Sequence, residues 1–135
     1  MKNTRRNENI AAMLNKAAEV KLEDYILIAI PTTIKDQEAD REIVDHWVET
    51  FGRLFTKYFG GYRCNEFMKG GFYDWTLNKR VDENNVDIWS RCKEEDLEEN
   101  LPNILDAVHC MKIYMKQTAI YVEVKNGEDV AGYYI

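Results

Sequence analysis

Residues 24–31 read Asp-Tyr-Ile-Leu-Ile-Ala-Ile-Pro (DYILIAIP). In an extended chain successive side chains point to opposite faces, so Tyr25, Leu27 and Ala29 share one face and Ile26, Ile28 and Ile30 the other. Both faces are apolar, which predicts a central strand covered on both sides. Just downstream the period changes. From Glu38 to Phe59 the residues Ile43, Val44, Trp47, Val48, Phe51, Leu54, Phe55 and Tyr58 fall on one helical stripe. Gly60, directly after it, suits the left-handed residue that ends a helix.

Upstream, Ile10, Met13, Leu14 and Ala17 make one face of a helix over Asn7–Val20. Downstream, Gly61–Met68 and Gly71–Leu77 read as strands punctuated by the pairs Gly60-Gly61 and Gly70-Gly71, and Val86–Cys92 follows a polar turn around Asp82–Asn85. A second long helix runs from about Pro102 to Lys116, with Asn100 as its cap and Leu101, Ile104, Leu105, Val108, Met111 and Met115 as its stripe. Thr118–Val124 and Val130–Ile135 flank Lys125-Asn126-Gly127-Glu128, and Asn-Gly between alternating runs signals a hairpin. The order is a helix, then β-α-β-β-β-α-β-β. It predicts an α+β fold in which an antiparallel sheet carries two long helices on one face, a ferredoxin-like variant with an added N-terminal helix. Residues 1–22 form the N-terminal helical extension and residues 23–135 a single α+β domain. The second apolar face of the first strand then lacks cover within one chain, which predicts a homo-oligomer.

At 135 residues and 15.9 kDa, with 45% hydrophobic and 31% charged residues, the chain suits one globular domain and excludes a disordered or collagenous one. The longest apolar run, Tyr25–Pro31, is too short to span a bilayer, and no signal peptide opens the chain, so the expectation is a cytoplasmic protein with no membrane partner. Cys64, Cys92 and Cys110 lack metal-type spacing and read as reduced thiols. The net charge of −6 argues against duplex nucleic acid. The charge is unevenly spread, +3 over residues 1–21, +1 over 61–93 and −6 over 94–135, so an anionic ligand would meet the N-terminal arm or the middle third.

Classical catalysis finds little support. Ser90 is the only serine and sits in no nucleophile elbow. His46 and His109 lack a paired carboxylate motif, and His109-Cys110 do not face each other on a helix. The run Glu94, Glu95, Asp96, Glu98, Glu99 reads as a solvated helix entry, and Asp82, Glu83 and Asp87 match no established metal spacing. The expectation is no catalytic residue, no metal and no cofactor. The middle strands are more informative. Arg63, Asn65 and Lys69 lie near Phe72, Tyr73 and Trp75, with Trp89 and Arg91 on a later strand. Aromatic planes stack on a nucleobase, arginine forks hold phosphate oxygens and asparagine reads a base edge. The competing reading is that these rings simply pack in the sheet or at a subunit interface.

Three segments, TKYFGGY at Thr56–Tyr62, KGGFYDW at Lys69–Trp75 and TAIYVEV at Thr118–Val124, together with the N-terminal helix, give a sequence that resembles the first type of phage anti-Thoeris sponge. The resemblance implies a non-enzymatic protein that sequesters cyclic ADP-ribose isomers. It also implies dimers that assemble into hexamers, with a second site for cyclic oligonucleotides between subunits. On this chain it implies Phe72, Tyr73 and Trp75 stacking on adenine, Arg63 and Arg91 on the pyrophosphate, Asn65 on a ribose or base edge, and Arg5 and Arg6 at the second site. Two other readings stay open: a small cyclic-nucleotide phosphodiesterase, and a protein-binding inhibitor of a host nuclease or defence complex. Single-stranded RNA binding is disfavoured by the acidic charge and the missing RNP1-type signature.

Overall fold

The computed structural model describes the backbone of residues 4–65, 68–74 and 79–135, and the side chains of residues 5–65 and 85–135. Helix α1 (Thr4–Ala17) precedes strand β1 (Asp24–Pro31), a short hairpin of β2 (Thr33–Ile34) and β3 (Gln37–Glu38), and helix α2 (Arg41–Phe59). Strands β4 (Arg63–Cys64), β5 (Met68–Asp74) and β6 (Lys79–Cys92) follow, then helix α3 (Glu94–Tyr114) and the hairpin β7 (Tyr121–Asn126) and β8 (Asp129–Tyr134).

The DYILIAIP strand lies in the middle of the sheet, antiparallel to β6 on one side and to β7 on the other. The order across the sheet is β4-β6-β1-β7-β8, and β5 pairs further along the same strand β6 that β4 joins. Each sheet neighbour is antiparallel, and α2 and α3 pack on each other and on the sheet. This is the α+β arrangement that the alternation of periods predicts, with β8 added at the β7 edge.

The core lies between the helices and one sheet face. Ile26, Ile28 and Ile30 of β1 are completely buried there, with Phe51 and Phe55 of α2, Ile104, Val108 and Met111 of α3, and Ile88 of β6. Gly60 ends α2 at φ 93°, its N–H donating to the Thr56 carbonyl at 3.0 Å. Buried Asp24 and the β7–β8 turn hold each other: the Gly127 N–H donates to the Asp24 carboxylate at 2.9 Å.

The structure also moves several boundaries. Helix α3 starts at Glu94, so the acidic run Glu94–Glu99 is its first turns and not its approach; three carboxylates there complement the helix dipole. Asn100 consequently lies inside α3 and not at its cap, donating from its side chain to the Asp96 carbonyl at 2.8 Å. Strand β6 extends back to Lys79, through the polar residues Asp82–Asn85 that read as a turn, because β5 supplies a partner along that length. The β7–β8 loop is Gly127-Glu128, one residue later than Asn-Gly, with Gly127 at φ 65°. That places glycine at the first loop position, where the turn needs a positive φ. Every side chain from Arg5 to Glu23 is exposed, including Ile10, Met13 and Leu14, so α1 covers no part of the sheet. No helix of the described residues is long and apolar enough to cross a membrane.

Candidate functional site on the open sheet face

The helices cover one face of the sheet, and the residues alternating with the core isoleucines occupy the other. Register arranges them in rows. One row reads Arg63 (β4), Trp89 (β6), Leu27 (β1), Glu123 (β7), Gly132 (β8). The next reads Arg91, Tyr25, Lys125, Val130. On the other side of the first row, Asp87 is opposite Ala29, and Tyr121 is opposite Tyr134. Directly paired residues share a face, so the open face brings together two arginines, four aromatic rings and two carboxylates from five strands.

Glu123 is at its centre. Tyr25 donates its hydroxyl to one carboxylate oxygen at 2.6 Å, and Tyr121 donates to the other at 2.7 Å. The bond to Glu123 is the main reason both phenols titrate high, with burial and the Glu123 charge adding to it; Tyr121 is pushed up to about 12. Arg91 lies over the Tyr25 ring, 5.1 Å from its centre, a cation–π arrangement that opposes the rise there. Tyr121 and Tyr134 are in ring contact at 5.4 Å. Burial, and next the Glu123 charge, raise the Asp87 carboxyl above its ordinary value. An acidic pair of this kind favours a cationic ligand group.

Toward the β4 edge the face meets a cavity of about 530 Å³ lined by Leu22, the Gly60-Gly61 backbone, Tyr62, Arg63, Trp89 and Arg91. Ser90, on the buried side of β6, fixes that wall by donating to the Gly61 carbonyl at 2.6 Å. The Tyr62 ring rests on α2 at Gly52, where an added Cβ would lie 2.8 Å from it. A second cavity, of about 450 Å³, is on the helix-covered side between Val44, Val48, Val86 and Cys64.

The structure therefore places Arg63 and Arg91 together around Trp89, and Asn65 beside them, its N–H donating to the Asp87 carbonyl at 2.9 Å. Phe72 and Tyr73 pair through the backbone with Val81 and Arg80, far along β6 from Trp89. Eight residues of strand span about 26 Å. The side chains of Phe72 and Tyr73 lie outside the described residues, as does Trp75 altogether. Arg5 and Arg6 are exposed in the first turns of α1. Sequence reasoning passed over Tyr25, Tyr121 and Glu123. The available signal was a single acidic residue between two valines, two positions after a tyrosine (Tyr121-Val122-Glu123-Val124). What it points to depends on the pairing of β7 with β1.

The sequence matches no protein-family model and no curated protein. Among solved structures the fold is similar to a phage SAM lyase in complex with S-methyl-5'-thioadenosine, at TM-score 0.59 and 15% identity. It is likewise similar to a phage SAM lyase in the apo state, at TM-score 0.56 and 14% identity. Each match covers 87% of this chain and 96% of the other. The expectation of a non-enzymatic protein is corrected by this likeness: the solved structures that share the architecture are those of an enzyme. That expectation rested on a shortage of serine, histidine and metal-type spacing, which by itself excludes no class of chemistry.

Proposed function

We propose that this protein is an enzyme that binds S-adenosylmethionine on the open sheet face and cleaves it to S-methyl-5'-thioadenosine. The observation that carries this reading is the Glu123 carboxylate, held by two tyrosine hydroxyls and two strands away from Trp89 in the same row. Two strand spacings are about 10 Å, the reach of a nucleoside with an amino-acid tail. The adenine stacks on Trp89 with Arg63 at its edge. The tail crosses Leu27 toward Glu123, and its carboxylate meets Arg91. The likeness to a lyase supports the same substrate class.

The chemistry suits these side chains. The substrate's carboxylate oxygen attacks its own γ-carbon and the γ-carbon–sulfur bond breaks, its electron pair going to sulfur. The sulfonium becomes a neutral thioether, and a protonated amino lactone leaves. No water, external base or nucleophile enters. The protein's work is to bend the tail and hold the reacting atoms in line, which supplies rate by orientation.

Incubation with S-adenosylmethionine followed by chromatography and mass spectrometry tests this. Release of S-methyl-5'-thioadenosine with the lactone or its hydrolysis product is expected. Intact substrate after hours with protein in excess would refute the reading. The narrower ligand, a cyclic ADP-ribose isomer, shares the adenosine part; the pairing of Arg63 with Arg91 beside Trp89 favours it as a competitor, and its inhibition of the cleavage measures that. The same reading includes a homo-oligomer, since α1 presents Ile10, Met13 and Leu14 to solvent, where a second copy would cover them.

A further inference from the structure

Gly132 stands directly opposite Glu123 on β8. Glycine inside a strand gives up packing and chain rigidity, so its presence there requires a reason. A Cβ at Gly132 would lie 2.5 Å from the Cε1 and Oη atoms of Tyr121, closer than real side chains approach. The missing side chain is what lets the Tyr121 ring lie across β8 and bring its hydroxyl to Glu123. Covering an edge glycine with an aromatic ring restores packing by itself, but phenylalanine would do that equally well. Here the end of the ring over Gly132 is the hydroxyl, and it finishes on a carboxylate oxygen whose twin is held by Tyr25.

We infer that Gly132 and Tyr121 are positioning residues that hold Glu123 as the receptor for the substrate's α-ammonium group, making the site selective for nucleosides that carry an amino-acid tail. This rests on the nucleoside reading given above. Each Glu123 oxygen accepts one tyrosine hydroxyl, and a carboxylate has about four lone-pair positions, so each oxygen keeps capacity for an N–H donor. The ammonium fits better than the sulfonium on two grounds. It has three protons to donate, where the sulfonium has none. Its charge also persists through the reaction, whereas the sulfonium's disappears; an anion beside the sulfonium would stabilise the ground state more than the transition state and slow cleavage.

Equilibrium binding of two non-reacting probes to wild type, Tyr121→Phe and Gly132→Ala tests the assignment. S-adenosylhomocysteine keeps the ammonium and lacks the sulfonium, and S-methyl-5'-thioadenosine lacks the tail. Both variants should bind S-adenosylhomocysteine roughly tenfold more weakly, the loss of one charge-assisted contact, and S-methyl-5'-thioadenosine within about twofold of wild type. Equal losses for the two probes, or none for either, would overturn the assignment. Tyrosine ionisation followed by ultraviolet absorbance checks the geometry without any ligand: Gly132→Ala should bring one tyrosine down from its high titration, and an unchanged profile would overturn the positioning role. Tyr121→Phe removes a single oxygen, so it serves if Gly132→Ala does not fold. If wild type binds neither probe while the Gly132→Ala titration shifts, the assignment and the nucleoside reading fall together and the Gly132–Tyr121 contact stands.

Discussion

On the open face, the protonation of Asp87 couples to folding in the acid range. Its carboxyl is raised in the folded protein, first by burial and then by Glu123. A carboxyl whose folded pKa exceeds its unfolded one stabilises the fold below the unfolded value, and that contribution is lost as pH rises through the folded value. The penalty on the charged form therefore grows as pH rises from the acid range toward neutrality. Asp87→Asn should therefore increase stability more at pH 7 than at pH 3, measured by chemical denaturation; an equal difference at both would remove Asp87 from this role. Arg63→Ala and Arg91→Ala belong to the same scale. Each should weaken S-adenosylhomocysteine binding by about 1 kcal/mol or more, the worth of a hydrogen bond to a charged group, and titration calorimetry with no change for either would clear the β4 edge of ligand contacts. Arg63, Asn65 and Arg91 stand out in the sequence as candidates because their type alone suggests a partner, and the structure brings Arg63 and Arg91 to one cavity. Glu123 does not, because one of the two tyrosines that hold it, Tyr25, lies 98 positions away and meets it only through the pairing of β1 with β7.

At the level of elements, α2 was the most legible part of the sequence: its stripe and its terminal glycine both read correctly. Phe55 is fully buried, so Phe55→Ala should cost about 3–5 kcal/mol. Gly60→Ala should cost about 1 kcal/mol from the left-handed position alone. A thermal melt that ranks them in the reverse order would contradict the packing described. The start of α3 was hidden, because carboxylates at the first turn of a helix and carboxylates in a solvated loop look alike until the helix is seen. Strand β6 was read too short for a related reason. Polar residues such as Asp82–Asn85 count against a strand in isolation, and only pairing with β5 overrides that propensity.

The whole molecule puts two-layer cover on one side only. Helix α1 presents Ile10, Met13 and Leu14 to solvent. Leaving such surface uncovered is unfavourable in water. Light scattering should thus give a mass that is a multiple of the 15.9 kDa chain. Removing residues 1–22 should lower that mass or the stability of the assembly, and a monomer at micromolar concentration would contradict the homo-oligomer. The fold class was legible from the two periods of the sequence. The candidate site was legible only in part, since a sheet face is a surface composed from strands that the chain visits in a different order from the one in which they lie.

The two-residue connection at Gly127-Glu128 has a consequence for how this chain tolerates change. It sets which β8 residue meets Glu123, and Asp24 anchors it from the far end of β1. One extra amino acid inserted there would slide β8 by a single step and turn its side chains over. The bare position beneath the Tyr121 phenol would then be filled. Every site residue would keep its identity, yet the carboxylate would lose one of its two clasps, so length at this corner constrains the protein as strictly as composition does.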